Sequence, residues 1–388
     1  MREGWIERAG VRLHYLEWEP EGDPQEPALF MLHGLSSNSL VWERMARLLP
    51  GRRMVALDQR SHGLSDRAAG SHESSELVAD AAYAVEELGL GRPLVLGHSW
   101  GASVALELAA TRPELAAGLV FVDGPPAAMS RVMSWLEASR RMQPPFPIYT
   151  DLDQAAEAQQ QYLGEAWAED LRPFVRAGLV EVDGGLTSTL TVDVRRQILE
   201  WMFEFDPLAH FPRVEGPVLL AMAGQLWPGA PAEFEEGRRR AVEEIAAADP
   251  AAQVRWYESR HDVPLIRPAE LAADVERTAL AAAFASIARE ASELDGDWTR
   301  PVHGETGDGD GDGWQARDLL AHLSSTQVSL AAVLTAPARS DDGRPRQPFD
   351  PDRWNASQVG RRREAAPDDL VLELGAGARA LHAALMGV

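Results

Sequence analysis

The residues best placed to do chemistry are Gly97-His98-Ser99-Trp100-Gly101, a G-x-S-x-G run. Ahead of them Pro93-Leu94-Val95-Leu96 is short and apolar, as a buried strand is. Behind them residues 102–110 are rich in Ala and Leu, with a helical pattern. A serine on a sharp strand-to-helix turn stands clear of the sheet with its hydroxyl exposed. The flanking glycines suit a crowded turn in which a Cβ would clash. The first amides of the following helix lack intrahelical partners and point at whatever the serine attacks. The chemistry to expect is nucleophilic attack by the Ser99 hydroxyl.

A nucleophile at a strand end needs a sheet to hold it. Residues 1–19 read as a β-hairpin turning at Ala9-Gly10. Ala28-Leu29-Phe30-Met31-Leu32 reads as a buried strand ending at His33-Gly34, and residues 40–49 as a helix. Arg53-Met54-Val55-Ala56-Leu57 is a second such strand, ending at Asp58; residues 74–88 carry a helical period. Gly118-Leu119-Val120-Phe121-Val122 is another, ending at Asp123. Strands alternating with helices imply a mostly parallel sheet covered on both faces. Ligands in such sheets bind beyond the carboxyl ends of the strands. His33, Asp58, Ser99 and Asp123 all fall there. From 126 to 212 the strand pattern stops and Met and aromatic residues crowd in, Trp135 and Phe146 among them. This reads as a helical insertion lying over the strand ends as a lid. Strands resume at Pro217-Val218-Leu219-Leu220-Ala221-Met222 and Gln253-Val254-Arg255-Trp256-Tyr257.

Composition narrows the chemistry. The 388 residues include no cysteine, which removes thiol nucleophiles, disulfides and Cys metal sites. Every one of the 37 basic residues is arginine, so Schiff-base chemistry on lysine is excluded. A formal charge of −23 argues against nucleic acid and against an anionic membrane surface. No run approaches the ~18 apolar residues of a membrane span. The N-terminal residues lack the apolar core of a signal peptide, which makes a cytoplasmic location the expectation.

Residues up to about 280 resemble the α/β-hydrolase superfamily, because several separate blocks occur in order. His33-Gly34-Leu35 resembles that family's oxyanion loop. Asp58-Gln59-Arg60-Ser61-His62-Gly63-Leu64-Ser65 resembles its D-x-R-G-H-G-x-S block, with Ser61 in place of the usual glycine. Residues 97–101 resemble its elbow, and His261-Asp262-Val263-Pro264 its catalytic-histidine loop. The resemblance implies an eight-stranded, mostly parallel sheet with helices on both faces. It divides the chain into a core at 1–125 and 213–282 and a cap at 126–212. It implies Ser99 as nucleophile, His261 as base, and the amides of Leu35 and Trp100 as an oxyanion hole.

The acid departs from the pattern. Where much of the family carries it, after the strand that follows the cap, this chain reads Ala223-Gly224-Gln225-Leu226-Trp227-Pro228. Asp123, 24 residues after Ser99, is the first alternative and Glu233 the second. His33, Trp135, Phe146, Trp227 and Val263 are the candidate pocket residues, while His33, His62 and His98 also read as structural hydrogen-bonders. The implied reaction is hydrolysis of a small-molecule carboxylic ester through an acyl-enzyme, with no metal and no organic cofactor. A carbon–carbon bond hydrolase using Arg131, Arg140 or Arg141 for a substrate carboxylate, a lactonase or a perhydrolase are alternatives on the same fold. A catalytically idle binding or scaffold module is the alternative from another class.

From about Ser292 the pattern changes again. Trp298-Thr299-Arg300-Pro301, residues 313–323 and residues 353–359 resemble the mycothiol-dependent maleylpyruvate isomerase-like, DinB-like helical bundles. His322 matches a metal-ligand position there, but the chain ends at Val388 before a fourth helix. The expectation for 283–388 is therefore an incomplete bundle whose apolar face packs on the hydrolase or on a second copy, giving a homo-oligomer.

Overall fold

The computed structural model describes residues 1–293, apart from 23, 69, 132, 144–145, 227–231 and 250–251, together with Ala365, Leu370 and Glu373. Two compact units divide the chain, Met1–Ala279 and Leu280–Val388. The motifs behind the helical-bundle expectation, His322 included, lie outside the described residues, as does Trp227.

The strands of the main sheet are β1 (Arg2–Arg8), β2 (Val11–Trp18), β3 (Leu29–Leu32), β4 (Met54–Leu57), β5 (Leu94–His98) and β6 (Gly118–Val122). A separate pair follows, β7 (Leu179–Val182) and β8 (Gly185–Ser188). The main sheet then closes with β9 (Val218–Ala223) and β10 (Gln253–Tyr257). Its order is β1-β2-β4-β3-β5-β6-β9-β10. The six strands from β4 to β10 in that order run parallel, and the β1–β2 hairpin joins antiparallel at the β4 edge. This is the eight-stranded, mostly parallel sheet the motifs imply. Strands β3, β4, β5, β6 and β9 are buried at every position, as unbroken Val, Leu and Ile-type runs require when helices cover both faces.

The core helices are α1 (Glu43–Ala46), α2 (Ser74–Glu87) and α3 (Trp100–Thr111). The segment read as one helix over 40–49 is broken instead, a short 3-10 turn at Ser39–Trp42 followed by α1. Asn38 caps that turn, its side chain accepting from Leu40 N–H. Ala-rich α3 packs flat on β5 and β6 and is buried along nearly its whole length.

Between β6 and β9 lie α4 (Trp135–Met142), α5 (Leu152–Leu163), α6 (Arg172–Ala177), the β7–β8 hairpin and α7 (Val192–Glu204). Local signals start these helices. Ser134 and Glu137 form a capping box on α4, while Asp151 and Thr191 cap α5 and α7. The expectation that strands vanish here is corrected by the hairpin. It turns at Asp183-Gly184, where Gly184 takes φ 93°.

The insertion is pinned to the core on three sides. Asn38 Nδ2 donates to the Phe174 carbonyl at 2.9 Å, and Arg44 Nε to Asp170 at 2.8 Å. Gln197 on α7 accepts from His72 N–H at 3.3 Å. Tyr162 at the end of α5 donates to Asp262 at 2.7 Å. The fold closes with α8 (Ala232–Ala248), α9 (Val263–Ile266) and α10 (Pro268–Glu293). Among the described residues no helix is long and apolar enough to cross a membrane.

Candidate active site

Ser99 sits between β5 and α3 with φ 55° and ψ −122°. A non-glycine residue held there carries strain of about 1–3 kcal/mol, sustained by its surroundings. Its N–H is tied to the Val122 carbonyl at 2.8 Å. A Cβ on Gly97 would overlap the Gly101 carbonyl, and one on Gly101 would overlap the His33 carbonyl. The turn therefore closes only with glycine at both positions.

The three side chains singled out from sequence meet in one chain of hydrogen bonds. His261 Nε2 lies 2.9 Å from Ser99 Oγ, and His261 Nδ1 lies 2.7 Å from Asp123 Oδ2. Glu233, the other candidate acid, stands exposed in the first turn of α8. Asp123 is buried, at the end of β6 with φ 44°. Its second oxygen, Oδ1, accepts from Ala223 N–H at 2.9 Å and from Arg238 Nη1 at 2.8 Å. Burial alone would raise the Asp123 pKa. The His261 hydrogen bond and charge, Arg238 and the Ala223 amide outweigh it and hold the carboxyl below its ordinary value. At His261 burial works against the charged imidazole, yet the Asp123 hydrogen bond and charge, joined by Asp262, win and raise its pKa. The imidazole keeps an open edge, since its side chain is 45% exposed.

Two amides belong to the turns beside Ser99. Trp100 N–H opens α3 and is one of those a helix leaves unpaired at its start. Leu35 lies half-buried in the turn after β3. Gly34 lets that turn approach, because a Cβ there would stand 3.0 Å from Ser99 Cβ. His98 binds the loop that carries His261: its Nε2–H donates to the His261 carbonyl at 2.9 Å. Burial, with the neighbouring His261 charge, pushes the His98 pKa down to about 4, so it stays neutral.

The pocket residues fare unevenly. His33 does not line a pocket. It is wholly buried, Nδ1–H donating to the Gly34 carbonyl at 2.8 Å and Nε2 accepting from Gln59 N–H at 3.0 Å. Val263 is likewise wholly buried, because it opens α9 against the core. Trp135 and Phe146 are half-buried in the cap; Trp135 meets Phe203 edge-on at 5.5 Å, and Phe146 lies 5.2 Å beneath the Arg195 guanidinium. A cavity of about 300 Å³ opens between the end of α5, Gln225 and Ser259-Arg260. It contains none of Ser99, His261 or Asp123.

Sequence reasoning missed Arg238, Arg195 and the Tyr162–Asp262 tie. Arg238-Arg239-Arg240 reads as a charged run on an exposed helix, and nothing local marks Arg238 as turning inward onto Asp123, 115 residues earlier.

Residues 29–274 match the Alpha/beta hydrolase family. The chain belongs to that family. Among curated alpha/beta hydrolase relatives, 2-(acetamidomethylene)succinate hydrolase of Mesorhizobium japonicum is 33% identical over 165 residues, 41% of this chain and 57% of that protein. The sn-1-specific diacylglycerol lipase ABHD11 of Mus musculus is 29% identical over 227 residues, 56% of this chain and 72% of the lipase. Lipase LipV of Mycobacterium tuberculosis is 34% identical over 173 residues, 44% of this chain and 62% of that lipase. The chain thus spans less than two thirds of the first and third of these. The solved structure of E-2-(acetamidomethylene)succinate hydrolase aligns with a TM-score of 0.57 over 71% of this chain and 99% of that one, at 22% identity. The fold is therefore that of the alpha/beta hydrolases, and the relatives are hydrolases.

Proposed function

We propose that this protein is a serine hydrolase that cleaves carboxylic esters through an acyl-enzyme on Ser99. The observation that carries the reading is the Ser99–His261–Asp123 chain at 2.9 and 2.7 Å. A serine hydroxyl is a weak nucleophile until a base takes its proton. His261 Nε2 accepts that proton as Oγ bonds to the substrate carbonyl carbon. Asp123 accepts from Nδ1–H, fixes the tautomer and stabilises the imidazolium that forms. Negative charge grows on the carbonyl oxygen, where Leu35 and Trp100 N–H groups meet it. Each such donor contributes about 3 kcal/mol to the transition state. The tetrahedral adduct collapses, and the leaving alkoxide takes the proton from Nε2. Water then loses a proton to Nε2, attacks the acyl carbon and frees the acid and Ser99. Every step is carried by three side chains and two amides, so no cofactor enters the scheme.

The relatives' names span lipids and a succinate derivative, and an ester of modest size fits both. A fluorophosphonate probe tests the nucleophile. Wild type should be labelled and Ser99→Ala should not, with ester turnover falling by about 10⁴-fold or more. Labelling that survives in Ser99→Ala would reject the assignment.

A further inference from the structure

The insertion holds a cation with no acidic partner among the described residues. Arg195 lies on the first turn of α7, half-buried, with its Nε closed off from solvent and without an acceptor. Burial alone depresses its pKa, and no acidic side chain acts on it. A second buried donor lacks an acceptor nearby. Gln143, the residue that ends α4, has its Nε2 buried and unbonded.

Helix packing brings the two together. Trp135 at the start of α4 meets Phe203 near the end of α7, and Phe146, three residues past Gln143, meets Arg195 at the start of α7; these two contacts set the helices in opposite directions. Eight residues on from Trp135 comes Gln143, and eight back from Phe203 comes Arg195. At 1.5 Å per residue both lie about 12 Å from the Trp135–Phe203 contact, at the same end of the pair. Phe146 under the Arg195 guanidinium closes that end. The same stretch of α7 is anchored by Gln197 to His72, in the loop that follows the carboxyl end of β4.

An unpaired buried charge and an unpaired buried amide are both costly. Two donors on one apolar floor lack the same thing, an acceptor with negative charge. Guanidinium matches carboxylate in shape as well as sign. We propose that Arg195 and Gln143 receive a carboxylate of the substrate, so that the ester or acyl chain cleaved at Ser99 ends in an acid group. The proposal rests on the serine-hydrolase reading and narrows its substrate. It also moves the carboxylate partner from Arg131, Arg140 and Arg141 to Arg195. Arg131 is paired with Asp206, and Arg140 and Arg141 lie on the last turn of α4.

Mono(4-nitrophenyl) glutarate and 4-nitrophenyl butyrate test it, one acidic and one neutral. Wild type should prefer the glutarate ester in kcat/KM. Arg195→Gln should lower the glutarate-to-butyrate ratio by about 30-fold, chiefly through KM, as expected for a lost charged hydrogen bond. Arg195→Lys should recover part of that ratio. A ratio that stays within roughly threefold of wild type in Arg195→Gln would overturn the receptor. Free glutarate gives a reading that needs no turnover. At about 10 mM it should raise the Tm of wild type and leave Arg195→Gln unmoved. Equal shifts in both proteins, or none in wild type, would also overturn it. Failure of the fluorophosphonate to label Ser99 defeats the hydrolase reading instead, and the glutarate shift then judges the receptor alone.

Discussion

At the scale of single residues, Asp123 bears on His261 in two ways, by hydrogen bond and by charge. Both raise the imidazole pKa above the ordinary 6.5 against the opposing effect of burial. Since the base must be neutral to take a proton, kcat/KM should climb with pH along a limb lying above that value. Asp123→Asn should cut kcat by about 10³–10⁴-fold and move the remaining limb downward, because the raising charge is gone. Arg238→Met should move the limb the other way. Arg238 lowers the His261 pKa, so its removal lets the limb rise, with about a tenfold loss of kcat as Asp123 loses a fixed partner. Opposite shifts from the two variants would establish Arg238 as a positioning residue; a limb that stays put in Arg238→Met would reduce it to scaffolding. Much of the triad is legible in the chain as written. Ser99 and His261 stand in motifs, and Asp123 is indicated by the lack of a carboxylate at 223–228. Arg238 and Arg195 are illegible there, since each matters through a contact that only the folded chain brings about.

At the scale of elements, Asp58 shows how a motif serves the frame. It ends β4 and accepts from Ser39 N–H at 2.6 Å, Leu64 N–H at 2.9 Å and His14 Nδ1 at 2.8 Å. One buried carboxylate thus joins β2, the turn after β3 and its own loop. Ser61, where a glycine was the family's pattern, takes φ 65° and fastens its hydroxyl to His72 Nε2 at 2.9 Å. Asp58→Ala should cost about 3 kcal/mol or more, read as a lower urea midpoint. Burial opposes its charge, but the His14 and Leu64 hydrogen bonds, with the neighbouring His33, hold its pKa below the ordinary 3.8, as happens at Asp123. Their joint contribution is complete above that value and drains as pH falls through the lowered folded values. Wild type should therefore lose stability steeply in acid, and Asp58→Ala should lose it less steeply. Elements with a clear period were readable in advance, and the sheet is the best case. The β7–β8 hairpin was not, although Leu179-Val180-Glu181-Val182 before Asp183-Gly184 carries a hairpin signal, because the Met and aromatic residues around it pulled the reading towards helix.

At the scale of the whole molecule, 60 acidic residues against 37 arginines leave a charge of −23. A long-range field of that sign repels an anionic substrate even where a buried arginine waits for it. Raising ionic strength from about 0.01 to 0.15 M shortens the screening length from about 30 to 8 Å. The kcat/KM for the glutarate ester should rise over that range, and that for the butyrate ester should stay level. A fall for the glutarate ester would mean that the entrance itself is positive.

The tie between Tyr162 and Asp262 has a mechanical consequence. Asp262 is the residue immediately after His261, and Tyr162 lies one residue before the end of α5. Helix α5 is thus bolted to the same short segment that carries the imidazole. A displacement of α5 at that point must either break the bond or pull on the segment that holds the imidazole against the serine. Substitutions on α5 far from the triad in sequence therefore act on the imidazole through a single side-chain bond.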